Sequence, residues 1–349
     1  MRYRTLGTTG VQVSTYCLGT MMFGAWGNDD PDDCVRVVHA ALDAGINFID
    51  TADVYSAGRS EEIVGRALAR RRDDVVLASK VHGQMGDDPN QRGSSRRWIV
   101  REVEASLRRL GTDHLDLYQV HRPDPSTDVE ETLSALSDLV HQGKVRAIGS
   151  STFPAELIVE AQWASERRGL ERFRCEQPPY SIFARAIEGS VLPTCQRYGM
   201  GVIVWSPLAA GWLTGRYRSD ADLDLTRGRA SRIPDRFDQR LPGNRRKLEL
   251  VGELEKVAGD AGVSLTHLAL AFSVAHPAVT STIIGPRTMD QLEDLLAGSS
   301  VELDDTTLDR IDELVPPATT LSAPDAGWTP PWIAEAALRR RAPGTRAAG

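Results

Sequence analysis

The stretch FIDTADVYS, residues 48 to 56, decides how the rest of this sequence is interpreted. It opens with two apolar residues typical of the end of a buried strand, and a short polar turn then brings Asp50, Asp53 and Tyr55 together. A phenol has an ordinary pKa of about 10, so a tyrosine that donates a proton near neutral pH needs a cation beside it. Asp50 can hold such a cation, and the next predicted strand ends at Lys80. The plainer alternative is that Asp50 caps a turn and Tyr55 packs in the core.

An order of strand, polar loop and amphipathic helix recurs along the chain. A hairpin is predicted at 2–14, around the turn Thr8-Thr9-Gly10. Eight short apolar runs predict strands at 16–19, 48–50, 75–80, 115–121, 145–149, 173–177, 201–205 and 280–284. Apolar residues at helical spacing predict helices from Pro31 to Gly45 and at 61–69, 96–110, 129–142, 154–168, 187–198, 247–258, 264–275, 289–296 and 305–314.

This pattern favours one closed α/β barrel. Continuous apolar runs are typical of parallel strands buried on both faces, and the count of eight favours a (β/α)8 TIM barrel over an open sheet. No GxGxxG follows the first strand, as a doubly wound nucleotide fold would require. We expect one barrel domain over 1–315, with a long loop at about 216–246, and a C-terminal extension over 316–349.

Bulk composition narrows the class of protein. The 349 residues are 41% hydrophobic and 26% charged, as in ordinary globular chains, and the net charge of -7 supplies no basic field for nucleic acid or anionic membranes. The four cysteines lie far apart without CxxC pairs, so neither a metal site nor a disulfide framework is predicted. No leader segment or membrane-length apolar run is evident, and we expect a cytoplasmic monomer or homo-oligomer.

The carboxyl ends of the predicted strands carry polar residues. In a barrel these ends converge on one mouth. A Lys80 ammonium held by Asp50 would stabilise the phenolate of Tyr55 and lower its pKa, while His121 would hydrogen-bond a substrate oxygen. Such a site protonates a carbonyl oxygen while another group attacks the carbon. The residues that we place at the mouth are Gly19, Thr20, Asp50, Tyr55, Lys80, His121, Ser150, Ser151, Gln177, Trp205, Ser206, Gly285 and Arg287.

Motifs spread over most of the chain are similar to those of one family. They are LGTMMFG, GINFIDTADVYSAGRSEEIVGRAL, LASK, DLYQVHRPDP, GKVRAIGSS, EQPPYSIFAR, VIVWSPLAAGWLTGRY and IIGPRTMDQLEDLL. From residue 3 to about 315 the chain resembles the aldo-keto reductases, in particular the bacterial branch related to potassium-channel β-subunits. The resemblance implies a (β/α)8 barrel that binds a nicotinamide dinucleotide, usually NADPH, without a Rossmann fold.

The same resemblance implies roles for individual residues. Asp50, Tyr55, Lys80 and His121 would form a catalytic tetrad in which Tyr55 is the general acid of carbonyl reduction. Arg287 suits a 2′-phosphate, so NADPH is favoured over NADH. The implied cofactor contacts are Gly19, Thr20, Met21, Asp50, Ser150, Ser151, Gln177, Trp205, Ser206, Pro207, Leu208, Ala209, Gly211, Arg216, Gly285, Arg287, Gln291 and Asp294. The sequence departs from the family pattern at Thr152 and Leu295, where Asn is common, which affects one carboxamide contact and adenine recognition.

The substrate pocket is the least determined part of the site. We expect it to include Phe23, Trp26, Tyr55, His82, His121 and Tyr180, with Trp212 as a further candidate that serves equally well in packing. The insert after the seventh strand is either a solvated loop or a lid that brings Arg229 or Arg232 to the cofactor. The tail containing Trp328 and Trp332 can reach the mouth or a neighbouring subunit in this family, and the three arginines from 339 to 341 are expected in solvent.

Three functions fit these expectations. The leading one is an NADPH-dependent reductase of a small-molecule aldehyde or ketone. A second is a nucleotide-binding regulatory subunit resembling the potassium-channel β-subunits, although those typically have Asn where this chain has His121. A third is a lyase or isomerase that uses Lys80 as a Schiff base, which the expected protonation of Lys80 beside Asp50 disfavours.

Overall fold

The fold is a closed barrel of eight parallel strands. The structure, a computed structural model, describes residues 1–226 and 228–341. Strands β3 to β9 follow one another around the barrel, and β10 lies between β9 and β3. Their bounds are β3 (Tyr16–Gly19), β4 (Phe48–Asp50), β5 (Val76–Val81), β6 (Leu115–Val120), β7 (Val145–Ser151), β8 (Cys175–Gln177), β9 (Gly201–Val204) and β10 (Ser281–Ile284). The predicted (β/α)8 barrel is therefore confirmed.

Strand register aligns the polar strand ends. Gly19 pairs with Asp50, and one strand further on Lys80 pairs with Gln119. A side chain at position 19 would meet the Ile283 side chain, because a Cβ built on Gly19 lies 2.4 Å from Ile283 Cγ2. Glycine thus permits the close approach of β3 and β10 beneath the mouth.

Amphipathic helices cover the outside of the barrel. The first shows why they form where they do: Asp30 accepts hydrogen bonds from the amides of Asp32 and Asp33, and the helix buries Val37 and Val38 against the strands. The helices are α1 (Pro31–Asp43), α2 (Arg59–Leu68), α3 (Arg96–Leu110), α4 (Val129–His141), α5 (Ala155–Arg168), α6 (Val191–Tyr198), α7 (Gly228–Arg232), α8 (Pro242–Asp260), α9 (Leu265–Ala275), α10 (Met289–Ala297), α11 (Asp305–Leu314) and α12 (Pro331–Ala334).

An N-terminal hairpin covers the amino end of the barrel. It consists of β1 (Tyr3–Thr5) and β2 (Gln12–Ser14), as predicted. Gly7 touches the start of β9 so closely that a Cβ there would lie 2.5 Å from the amide nitrogen of Gly201. Residues of the hairpin and of the strands form one buried apolar cluster below the mouth, made of Leu6, Val13, Cys17, Phe48, Ala78, Leu117, Cys175 and Ile203.

The long loop expected at 216–246 is partly helical. It contains α7, and α8 begins at Pro242 rather than at the predicted Lys247, because proline fits the first turn of a helix. The C-terminal extension packs on the barrel: the amide of Arg185 donates to Thr319 O at 2.7 Å, and that of Leu321 donates to Phe183 O at 3.0 Å.

Two further expectations concern membranes and cysteines. Within the described residues, no single helix has the length and apolar character needed to cross a membrane; α8 and α9 meet that criterion only as a pair bent by 85°. Cys17, Cys34, Cys175 and Cys195 are buried, free thiols. In 1–226 and 228–341, no group of three or more histidines, cysteines and acidic residues is placed to hold a metal ion.

Candidate active site

Lys80 connects the polar residues at the ends of β4 and β5. Its ammonium is fully buried and donates to Asp50 Oδ2 at 2.6 Å, to the carbonyl oxygen of Thr51 at 2.7 Å and to the Tyr55 hydroxyl at 3.3 Å. A buried cation is tolerated only when it is paired and hydrogen-bonded, and here three acceptors take its three protons. The position of this ammonium is therefore fixed.

Asp50 is held from its other side by two amides. Gln177 Nε2 donates to Asp50 Oδ1 at 2.8 Å, and Gln119 Nε2 donates to the same oxygen at 3.3 Å. The contact with Gln119 was not anticipated from the sequence. Strand alternation offers a signal for it, because Gln119 and His121 are two residues apart and so point to the same face.

The turn after β4 carries Tyr55 into the mouth. Ser56 and Ala57 adopt φ values of 48° and 56°, a left-handed conformation that costs non-glycine residues energy. The Ser56 hydroxyl donates to Phe23 O at 3.1 Å and so anchors the strained turn. Two rings flank Tyr55: that of His121, with centroids 5.8 Å apart, and that of Trp26, with centroids 6.0 Å apart.

The protonation states follow from burial and from the Lys80 charge. Burial raises the pKa of the Tyr55 phenol, and although Lys80 opposes this, the net shift is upward. The predicted lowering of this pKa is thus wrong in its net direction, because burial outweighs the effect of Lys80 and the Asp50 carboxylate adds to the upward shift. Burial lowers the pKa of Lys80, but Asp50 outweighs it and the net shift is upward. Burial and the Lys80 charge together hold the pKa of His121 well below its usual range. At neutral pH Tyr55 therefore keeps its proton, Lys80 is an ammonium and His121 is neutral.

The segment after β9 forms a turn suited to an anion. Ser206, Ala209 and Ala210 have φ values of 61°, 48° and 62°. Successive backbone amides in such turns point into one concavity, which is a common anion-binding arrangement. Trp205 precedes this turn, and its buried Nε1 has no hydrogen-bond partner in the described part of the chain.

Arginines lie around the cleft that this turn borders. Arg229 lies on α7, and its pKa is lowered to about 10, first by the protein groups that crowd it and displace water and then by the charge of Arg236. The charge of Arg287 adds to this effect. Ion pairs among the described residues involve neither Arg229 nor Arg287, so both guanidinium groups can take an anionic ligand.

Several predicted residues are directed away from the mouth. The Ser150 hydroxyl donates to buried Glu176, while that of Ser151 donates to Gln177 O at 2.8 Å. Tyr180 donates its hydroxyl to Glu188 at 2.6 Å and stacks on Phe272. Phe23 and Trp212 are buried in the apolar core. Thr20 bonds within the barrel, since its Oγ1 lies 2.9 Å from Ser60 Oγ.

The other predicted residues lie on the rim, in varied surroundings. Arg287 N donates to Gln291 Oε1 at 2.9 Å, and the Asp294 carboxylate lies 3.3 Å from His267. His82 follows β5, and its buried Nδ1 has no partner among the described residues. Met21 and Leu208 are half-buried, Pro207 is buried, and Gly285 and Arg216 are exposed. Gly211 has a φ of 103°.

Similarity to known protein sequences identifies a family that agrees with this geometry. The sequence model of the Aldo/keto reductase family matches residues 16–316. The chain belongs to this family. Aldo-keto reductases are oxidoreductases that generally bind a nicotinamide cofactor and act on small carbonyl compounds.

Three relatives illustrate the range within the family. The uncharacterized oxidoreductase YrpG of Bacillus subtilis is 39% identical over 90% of this chain and 96% of its own length. A probable voltage-gated potassium channel subunit beta of Arabidopsis thaliana is 36% identical over 90% of this chain and 97% of its own. The aldo-keto reductase YhdN of Bacillus subtilis is 37% identical over 84% of this chain and 88% of its own.

Proposed function

We propose that this aldo-keto reductase uses NADPH to reduce an aldehyde or ketone to an alcohol, with Tyr55 as the general acid. The observation that supports this most directly is the bonding of Lys80, whose single ammonium donates to both the Asp50 carboxylate and the Tyr55 hydroxyl. A fixed cation beside a phenol stabilises the phenolate that remains after proton donation.

The residues of the cleft suit a dinucleotide. In the turn at 206–210 the Ala209 amide donates to Ser206 O at 2.9 Å and Pro207 has no N–H, so the amides of Leu208 and Ala210 are the ones offered to a pyrophosphate. Arg229 and Arg287 supply positive charge without competing carboxylates. Gln177 uses its Nε2 to hold Asp50, and its Oε1 suits a carboxamide. The Trp205 ring lies at the same end of the cleft, with the guanidinium carbons of Arg122 and Arg236 at 5.7 and 5.4 Å from its centroid. We favour NADPH over NADH because the Arg287 guanidinium provides forked donors for a 2′-phosphate.

The side chains of the tetrad divide the chemistry between them. When bound, the cofactor supplies the hydride. Tyr55 gives its proton to the carbonyl oxygen, and Lys80 stabilises the resulting phenolate while Asp50 keeps Lys80 charged and in place. Neutral His121, beside the Tyr55 ring, orients the carbonyl oxygen by a hydrogen bond. Alcohol oxidation uses the same groups with Tyr55 as the base.

A panel of aldehydes and ketones, followed by loss of NADPH absorbance, tests the proposal. Tyr55→Phe removes the hydroxyl group and keeps the ring, so we expect kcat to fall by roughly a hundredfold to ten-thousandfold while NADPH affinity is retained. Tyr198→Phe, on α6, serves as the matched control with wild-type rates. Full activity in Tyr55→Phe would show that another group donates the proton.

A second function is favoured by the names of two relatives. Proteins of Arabidopsis thaliana and rice with 36% and 37% identity are called probable voltage-gated potassium channel subunits beta. On this alternative the chain binds the nucleotide and regulates a partner with little turnover. NADPH binding without turnover of any carbonyl in the panel would favour it, and rapid turnover would favour the reductase.

The Lys80 Schiff base has less support. A nucleophilic amine must be unprotonated, whereas the net shift in the Lys80 pKa is upward and its protons go to three acceptors. Borohydride treatment in the presence of a carbonyl substrate is therefore expected to leave the mass of the protein unchanged.

A further inference from the structure

Arg122 is a second cation at the mouth, and the tetrad does not use it. It follows His121 directly, and its Nη1 donates to His121 O at 2.6 Å and to Thr152 Oγ1 at 2.9 Å. The guanidinium carbon lies 5.7 Å from the centroid of the Trp205 ring. These contacts fix the plane of the guanidinium beside the residues that surround Tyr55.

The charge of Arg122 has no anionic partner in residues 1–226 and 228–341. The hydrogen bonds of its guanidinium within that part of the chain all come from Nη1, and it takes part in no ion pair there. The Nε and Nη2 atoms make no hydrogen bond there and are not sealed from solvent. A nearby carboxyl group, Glu176, has its pKa raised to about 8 by burial and is therefore mostly neutral at pH 7.

The position of Arg122 separates it from Arg287, where the adenosine end of the cofactor is expected. Arg122 follows β6, whereas Arg287 follows β10, and four steps around the closed barrel separate those two strands. Arg122 lies instead next to His121, whose ring is 5.8 Å from that of Tyr55. Arg122 thus lies where the substrate, rather than the adenosine end of the cofactor, is expected.

Arg236 adds positive charge close to Arg122. Its guanidinium carbon lies 5.4 Å from the centroid of the same Trp205 ring, and its Nε donates to Pro324 O at 3.0 Å. Asp325 lies 3.6 Å from Arg236 Nε but also forms an ion pair with buried Lys247. One carboxylate therefore serves two cations, and the local charge remains positive.

We infer that the substrate is a carbonyl compound that also carries a carboxylate, and that the free edge of Arg122 binds this carboxylate. The inference rests on the proposed carbonyl reduction at Tyr55. A guanidinium edge offers two parallel N–H donors that match the two oxygens of a carboxylate. With the carbonyl oxygen between Tyr55 and His121, a carboxylate a few atoms away reaches Arg122.

Two pairs of substrates test the inference. Each pair contrasts an acid with its methyl ester: 4-carboxybenzaldehyde with methyl 4-formylbenzoate, and 4-oxobutanoate with its methyl ester. We expect the wild-type protein to prefer the acid by roughly tenfold to a hundredfold in kcat/KM, mainly through KM, as a charge-assisted bond provides. The aromatic ester withdraws more electron density and is intrinsically more reactive, so a preference for the acid reports on binding.

Substitutions of Arg122 test whether this residue causes the preference for the acid. In Arg122→Leu the ratio of acid to ester is expected to fall to about one, and in Arg122→Lys part of the preference is retained because the charge remains but the fork is lost. Arg101→Leu removes an exposed arginine on α3 and should keep the wild-type ratio. If Arg122 only supports its loop, acid and ester lose activity equally and the ratio stays as in the wild type, which overturns the inference.

A binding measurement separates this inference from the proposed reaction. Calorimetry with 4-(hydroxymethyl)benzoate and its methyl ester, in the presence of NADPH, reports the preference without turnover, because an alcohol cannot accept hydride from the reduced cofactor. Tighter binding of the acid supports the carboxylate site even if no aldehyde is reduced, whereas equal binding overturns it even if aldehydes are reduced. Should Arg122→Leu fail to fold, the wild-type ratio and Arg122→Lys decide the question.

Discussion

The Lys80 ammonium lies 2.6 Å from Asp50 Oδ2, and both side chains are removed from water, with exposed fractions of 0% and 3%. Two charges buried in this way depend on each other, because each would be left uncompensated without its partner. The same pair also fixes the donor that faces Tyr55. Stability and chemistry are thus coupled through one contact.

Lys80→Met should destabilise the fold by about 3–5 kcal/mol, since it leaves the Asp50 carboxylate buried without a counter-ion. Adding Asp50→Asn removes that charge and should restore much of the stability while activity stays lost. Urea unfolding of the single and double variants measures this. Lys144→Met, which breaks a half-exposed pair with Glu104, is the control and should cost less than about 1 kcal/mol. Equal losses in Lys144→Met and Lys80→Met would contradict the coupling.

Glu176 should make stability depend on pH. Burial raises its pKa to about 8, and the Ser150 hydroxyl and Phe153 amide only partly offset this. Because the folded pKa is raised, its contribution to stability is present at low pH and is lost as pH rises from about 4.5 to about 8. Within that range, the stability of the wild type relative to Glu176→Gln should fall by roughly 1 kcal/mol per pH unit. Chemical unfolding at several pH values checks this, and parallel curves for the two proteins would show that Glu176 does not titrate there.

Arg287→Gln should reduce the preference for NADPH over NADH. Loss of the forked donors is expected to weaken NADPH binding roughly tenfold to a hundredfold and to leave NADH affinity nearly unchanged. Fluorescence titration with each nucleotide gives the two dissociation constants. Arg310→Gln removes an arginine that pairs with Asp260 on the outside of the barrel, and it should change neither constant. If Arg287→Gln weakens both nucleotides equally, Arg287 does not recognise the 2′-phosphate.

Gly327, in the C-terminal extension, packs against residues at the mouth of the barrel. A Cβ built there lies 2.7 Å from the Trp205 ring and 2.8 Å from Thr152 Cγ2, and its φ is 84°. We expect Gly327→Ala to lower the free energy of unfolding by about 1–3 kcal/mol beyond the cost of placing alanine in a left-handed backbone conformation. We also expect it to alter NADPH binding by displacing Trp205. Gly262→Ala is the matched control, because Gly262 has a φ of 70° and a methyl group added there would meet no atom within 4 Å. Equal unfolding free energies for the two variants would show that the C-terminal extension can shift away from Trp205 without loss of stability.

The sequence predicted the barrel because its strands are short and apolar and are separated by polar loops and helices at regular intervals. In the structure Asp50 and Lys80 then lie on neighbouring strands. It also predicted the partners of Tyr55, since each of them ends a consecutive strand. It did not predict the net direction of the Tyr55 pKa, which depends on how much burial and Asp50 offset Lys80. The sequence also did not predict that the Ser150 side chain points toward Glu176 or that Gly327 contacts Trp205. These features depend on side-chain direction and on long-range packing, which spacing along the chain does not specify.

The N-terminal hairpin, through Leu6 and Gly7, covers one end of the barrel, and apolar side chains fill the space behind it. In the described part of the chain, the proposed cofactor and substrate would therefore share the opposite rim as their route in and out. A molecule that lies deeper must arrive before the one that lies above it and must depart after it. On the proposed function, entry and exit would consequently be sequential, and the product would leave before the spent nucleotide if the substrate is the outer of the two.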